Sequence, residues 1–507
     1  MSDSFEQILN RLNHLDREKA EDLNKLKKLV LSSTREEIVA ILDGLDLKEV
    51  NSVFRKLFKS DEKYIYEDLT DILNHILERL GSEEFYDRFD ALIKEVLKSG
   101  DCPKLKSIYL KLLLAGCNEA KVQNNIISNQ LNLIIESVGD PDEEVGKRAV
   151  DILRYFSTKA DRFLDDHLFN STNLSLLQSV KNKNEIIKFR YFEFLIGLVL
   201  AKETFLQNAH IQLAVKELLE LTKRPDDPLL VRNCLIILDQ LIESDAGAEY
   251  LNQFGYFNLI AGKITNPQSD LFANLLMPGY IEVFAKLGST SPALIQSHQN
   301  VIDQIVQFIL TDEFTSCSIE SIGLIGRLGK GKLVLNSNAK FTEQCLPKLG
   351  QLLQHGQTQV EVLNCLASLF DLNDLDATVD ISDLLESWYS KLSVDRKQTR
   401  ETIFALCKQA FPEIHLNSLN LIHTLAKHLW GQKELAQLST FLDYILNRTT
   451  EVDYKSKQAK FRLITELATS PFTKAAFGPM EHAKIRKVYQ DGAFHVESDV
   501  TVAVEGV

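Results

Sequence analysis

One pattern constrains this chain more than its length: an apolar residue, a small residue four further on and an apolar residue eight further on, returning at steps of 42, 43, 45, 42, 44, 53 and 41 residues. The triads are Val145/Ala149/Leu153, Ile187/Tyr191/Leu195, Leu230/Cys234/Leu238, Leu275/Gly279/Val283, Cys317/Ser321/Ile325, Glu361/Cys365/Leu369, Ile414/Ser418/Ile422 and, more faintly, Lys455/Ala459/Leu463. Tyr191 breaks the small rule, and Val360 and Val362 flank the polar lead Glu361. Residues four apart stack on one side of a helix, so each triad marks a buried helical face. A period of roughly 40 to 47 residues is that of HEAT and armadillo repeats. The expectation is an all-α, HEAT/armadillo-like helical repeat solenoid, a curved superhelix in one continuous array.

The best-formed copy runs from Asp140 to Phe156. Pro141 presets a tight turn, Asp140 and Asp142 can accept hydrogen bonds from orphan amides, and Glu143 and Glu144 suit the positive end of the helix dipole. Val145, Ala149, Ile152, Leu153 and Phe156 form the apolar face, with Lys147, Arg148, Asp151 and Arg154 opposite. In such arrays the helix entered through an acidic turn lines the inner face. Arg148, Asp151 and Arg154, with Arg190, Glu193 and Arg232 in later copies, are therefore the candidate partner-binding residues.

Around these copies the chain divides into residues 1–119, a helical capping region with irregular repeats, 120–370, regular repeats, 371–492, further repeats with an insertion near 371–380, and 493–507, an extended or disordered β-branched tail. Helices are expected at Glu36–Leu42, Val50–Phe58, Tyr66–Leu80, Glu84–Leu97 and Lys104–Leu114 in the first part. Only 22 glycines and 11 prolines interrupt 507 residues, which favours long helical runs.

With 71 acidic against 57 basic residues the net charge is −14, which disfavours nucleic acid and anionic membranes as partners. Basic or mixed protein surfaces fit better. Seven dispersed cysteines without a C-x-x-C pair indicate free thiols in a reducing compartment. The start Met1–Gln7 has neither a basic region nor an apolar core, so no secretory signal is expected. The apolar run near Phe192–Ala201 contains Glu193 and is too short for a membrane span. A cytosolic, monomeric protein is expected, with the nucleus as a second compartment.

Chemistry has few carriers. Gly326-Arg-Leu-Gly-Lys-Gly-Lys332 approaches a phosphate-binding loop, but Leu333 stands where the Mg²⁺-ligating hydroxyl belongs, and a helix precedes it where a buried strand is required. Gly329 and Gly331 read better as a helix end and a turn. His415, His423 and His428 lack metal-ligand spacing, and no G-x-S-x-G elbow occurs. No catalytic residue, cofactor or metal is assigned, and the chain is read as a non-enzyme.

Several segments carry a resemblance: Met277-Pro-Gly-Tyr280, Phe284-Ala-Lys-Leu-Gly288, Gly323-Leu-Ile-Gly326, Glu386-Ser-Trp-Tyr389, Phe411-Pro-Glu-Ile-His415 and Ala503-Val-Glu-Gly506. In order and approximate spacing they resemble the proteasome base assembly chaperone family, that of the 26S proteasome non-ATPase regulatory subunits 5. The resemblance implies a dedicated chaperone for the 19S base. Such a protein binds the carboxy-terminal domain of one AAA ATPase subunit, together with associated base subunits, and leaves before the mature particle forms. The alternative is a general armadillo-type adaptor, import-like or regulatory. An import-like groove needs regularly placed tryptophans, and only Trp388 and Trp430 are present.

Overall fold

The structure is a computed structural model that describes residues 7–8, 19–46, 48, 50, 52–53, 63–98, 102–159, 162–224, 226–269, 272–354, 357–372, 381–451 and 453–493. Every regular element among them is helical. The helices expected at the start appear at Arg35–Asp43, Lys63–Leu80, Ser82–Lys98 and, as α1, Pro103–Gly116. Most of Val50–Phe58, most of the insertion 371–380 and the tail from residue 494 lie outside the described residues.

Beyond α1 the elements that matter here are α2 (Leu131–Val138), α3 (Glu143–Lys159), α4 (Glu185–Ala201), α5 (Pro228–Leu241), α6 (Ala273–Thr290), α7 (Thr315–Ile325), α8 (Gly329–Asn336), α9 (Gln359–Phe370), α10 (Pro412–Ala426) and α11 (Tyr454–Thr469). The eight triads fall on α3, α4, α5, α6, α7, α9, α10 and α11, each the second helix of its repeat. Packing divides the chain into two compact units, residues 1–218 and 219–507. In the first, α1 packs on α3 and α3 on α4; in the second, α5, α6, α7, α9, α10 and α11 pack each on the next.

The acidic entry turn is built from local side-chain bonds. Asp142 caps α3, its Oδ1 accepting from the Val145 amide at 3.0 Å, while Asp140 Oδ1 accepts from the Asp142 amide at 3.0 Å. The device recurs with Asn184 and Ile187, Asp227 and Leu230, and Asp453 and Ser456. Asp140 also pairs with Lys106 of α1 at 2.9 Å, a nearly buried bridge between repeats.

The small and the trailing apolar positions are buried in all eight triads. The lead position is buried only at Val145, Ile187 and Leu230. Leu275, expected in the core, is 55% exposed, because Leu276 and Met277 of the same turn take the core contacts.

Candidate partner-binding face

The six residues singled out on the polar side of the second helices have different environments. Asp151 and Glu193 are exposed, on α3 and α4, and Glu193 lies within the field of Lys147 of α3. Arg148 is partly buried: its Nε donates to Ser107 Oγ of α1 at 2.8 Å, and its Nη2 pairs with Glu144 one turn earlier. The other three arginines lie against glycines of neighbouring second helices.

Arg190 of α4 is 8% exposed, and its Nη1 donates to the carbonyls of Val138 and Asp140, each at 2.8 Å. The first of those carbonyls belongs to the last turn of α2, whose orphan acceptors need donors. Gly146 of α3 makes room for this, since a Cβ there would overlap the guanidinium. In the reverse direction Arg154 of α3 lies over Gly197 of α4, and in the other unit Arg232 of α5 lies over Gly279 of α6. Arg232 also reaches Glu282 of α6 at 3.5 Å. Glycine opposite arginine is thus a packing motif between repeats, in which a flat cation takes the place of a side chain.

The second unit adds groups that the sequence reading did not single out. Glu282, Glu320 and Glu361 stand on α6, α7 and α9, and the Glu320 carboxyl is raised by partial burial and by the fields of Glu361 and Glu282. Asp239 of α5 is 6% exposed, and its Oδ1 has no hydrogen-bond partner. Burial and then Glu282 push its carboxyl up to about 8, against the opposing pull of Lys286 and Arg232. A count of polar side chains cannot reveal this, because the groups meet across helices more than 35 residues apart. The local signals are Leu229 and Ile236, apolar residues on the exposed side of α5.

The residues considered for chemistry are occupied structurally. Lys332 is fully buried in α8, its Nζ donating to the Arg327 carbonyl at 3.1 Å, and a Cβ on Gly331 would strike the Ile325 carbonyl. The glycines of this stretch therefore bring α8 tightly against the end of α7. His415 holds the Cys407 carbonyl at 2.5 Å and Glu451 at 2.6 Å, and His428 Nε2 holds the Phe370 carbonyl at 2.7 Å. Among the described residues no group of three or more His, Cys, Asp or Glu could hold a metal ion, and no helix is long and apolar enough to cross a membrane.

Paired helices whose second members stack in series define a class of helical-repeat scaffolds, the HEAT-repeat solenoids. Among solved structures the chain is similar to yeast importin-beta (Kap95p), at 11% identity and a TM-score of 0.57 over 92% of this chain and 56% of that one. A second Kap95p structure, one concerned with Kap95p binding to RanGDP, matches at 13% identity and a TM-score of 0.59 over 95% and 59%. These likenesses concern the fold. The family described as "Proteasome non-ATPase 26S subunit" matches residues 1–507, and the chain belongs to it. It is similar to the 26S proteasome non-ATPase regulatory subunit 5 of Homo sapiens, 28% identical over 384 residues that make up 74% of this chain and 75% of that one. The Drosophila melanogaster protein of the same name is 21% identical over 447 residues, 86% and 84% of the two chains.

Proposed function

We propose that this chain is a non-enzymatic chaperone for assembly of the 19S base of the 26S proteasome. In this reading it holds the carboxy-terminal domain of an AAA ATPase subunit, with its associated base subunits, and departs before the particle matures. The observation that carries the reading is the family match along the whole chain. A series of stacked second helices is compatible with it, since a broad helical face can hold a folded domain without any chemistry. The proposed place of action is the cytosol, with the nucleus as a second compartment.

The immobilised full chain is expected to retain one base ATPase from a cell extract, and to be absent from purified, complete 26S particles. Stoichiometric presence in mature particles would overturn the chaperone reading. Among the six candidate contact residues, Asp151 and Glu193 have the exposure that contact requires. Charge reversal there is expected to weaken capture with helicity intact, whereas reversal of Arg190 is expected to lower helicity first.

A further inference from the structure

Four consecutive second helices of the second unit, α5, α6, α7 and α9, carry a surface unlike an ordinary solvated helix side. Four large apolar residues are open to solvent there, Leu229 at 69% and Ile236 at 47% on α5, Leu275 at 55% on α6 and Leu324 at 39% on α7. Helical spacing sets three of them on the same side as a charge: Ile236 one turn after Arg232, Leu324 one turn after Glu320, and Leu275 two turns before Glu282. Their helices pack on one another in series, so these residues and the acids share one stack of helices, with Leu275 near the start of its helix and Ile236 and Leu324 about two turns further along theirs.

The charges of that strip do not balance. Its cations are engaged, Arg232 over Gly279 and against Glu282, and Lys286 with Glu243 at 2.9 Å. Glu320 is influenced by two other carboxylates, with no cation among its neighbours of consequence. At the edge of the strip Asp239 has a buried carboxylate oxygen with no donor, beside Glu282. Like charges gathered on the exposed sides of adjacent helices are relieved by a cation brought from outside.

Spacing selects the shape that brings it. Packed helices stand about 8 to 10 Å apart, and Glu282, Glu320 and Glu361 stand progressively earlier in their repeats, by four and then three residues, so with the rise of about 1.5 Å per residue successive acids recur at about 9 to 12 Å. An extended segment places same-side residues at about 6.7 or 13 Å, which misses the interval. A helix returns to the same side every seven residues, a rise of about 10.5 Å, with the residues three and four further on beside it.

We propose that this strip docks a basic amphipathic helix of a partner protein, laid across the stack with lysine or arginine every seven residues against Glu282, Glu320 and Glu361 and apolar side chains against Ile236, Leu275 and Leu324. The inference goes beyond the assembly reading, because it specifies the chemistry of the docked segment whichever protein supplies it.

The probe is a labelled peptide of about 18 residues, with Lys at every seventh position and Leu three and four residues after each, titrated with the full chain by fluorescence anisotropy. Binding that weakens about tenfold in E320Q/E361Q and several-fold in I236S/L324S, and that falls as salt rises, is the expected result. An E119Q/E203Q variant, which removes two exposed acids of the other unit, is expected to bind as the unaltered chain does. The proposal is overturned if no binding occurs up to about 1 mM peptide, if E320Q/E361Q binds equally well with its helicity intact, or if a Lys-to-Glu peptide binds equally. Equal binding of a proline-interrupted peptide of the same composition would also overturn it, by removing the helix. Peptide binding and ATPase capture are separate readouts, so either proposal can fail while the other stands.

Discussion

Arg154 and Asp239 stand two repeat periods apart in matching places on their helices, and they face different neighbours. Arg154 of α3 faces Gly197 of the next second helix, which leaves space for its guanidinium, although its buried Nε has no acceptor. Asp239 of α5 faces Glu282 of the next, and no donor reaches its inner oxygen. In the first unit the charges between repeats are seated, by Gly146 and Gly197 and by the carbonyls that Arg190 binds. In the second unit, from α5 to α9, acids outnumber the cations available to them. A charge on the flank of a repeat is therefore structural where the neighbouring helix offers a glycine or a carbonyl, and remains available to a partner where it offers another acid.

Breaking the seated side is expected to have the largest effect. R190A removes the donor from the Val138 and Asp140 carbonyls and leaves a gap over Gly146, which is expected to cost about 2 to 4 kcal/mol in urea unfolding followed by helical circular dichroism. Gly146→Val pushes the same guanidinium off its seat from the other side. If the two changes act on one interaction, the double variant loses clearly less than the two losses added together. A loss below about 0.5 kcal/mol for R190A would put Arg190 among ordinary surface residues and dissolve the contrast.

The same contrast explains which parts of the molecule were legible in the sequence. The small and trailing positions of each triad predict a buried stripe, and all sixteen are buried, because helical periodicity is local information. The entry-turn caps at Asp142, Asn184, Asp227 and Asp453 are equally local. The fate of the polar side is not. Whether Arg190 is exposed depends on Gly146, 44 residues earlier, and whether Glu320 is strained depends on Glu282 and Glu361, 38 and 41 residues away. Leu275 misled for a related reason: three apolar residues in one turn compete for the core, and the pattern does not decide which of them is left outside.

A buried acid with matched partners offers the next comparison. Burial alone would raise Glu451, but His415, Tyr444 and Lys460 outweigh it and hold its carboxyl down to about 2. The same contact, chiefly the bond from Glu451, raises His415. The Glu451 contribution is present above the ordinary carboxylate range and is lost as pH falls toward 2. The His415 contribution is present below its ordinary value of 6.5 and is lost as pH rises through its raised one. E451Q is thus expected to cost roughly 2 kcal/mol, most visibly between about pH 4.5 and 6.5, where both terms act. A loss independent of pH across that window would show that the network contributes packing alone.

Asp239 is expected to behave in the opposite sense. Its folded carboxyl titrates near 8, against 3.8 as the ordinary value, so the folded state holds a proton that the unfolded chain releases, and stability falls as pH rises between the two. D239N keeps the shape without the charge. It is expected to raise the unfolding free energy at pH 8 by an amount on the order of 1 to 2 kcal/mol, with the gain fading toward pH 4. If D239N destabilises at pH 8, the charged form of Asp239 is satisfied within the chain, and the asymmetry between the units is weaker.

The smallest effect bears most directly on the acids of α7 and α9. Glu320 and Glu361 are not deeply buried, and solvent screens their mutual repulsion, so E320Q/E361Q is expected to stabilise the chain by only a few tenths of a kcal/mol at low salt and by nothing measurable at high salt. A structural pair would show the reverse: removing either member would lower Tm, as it does for a seated arginine. A near-neutral Tm joined to a clear loss of peptide binding is the signature of residues retained for an external cation, because the fold then gains nothing from keeping them charged. A drop in Tm at both salt concentrations would instead make Glu320 and Glu361 members of the packing, equivalent in role to Arg154 and Arg190.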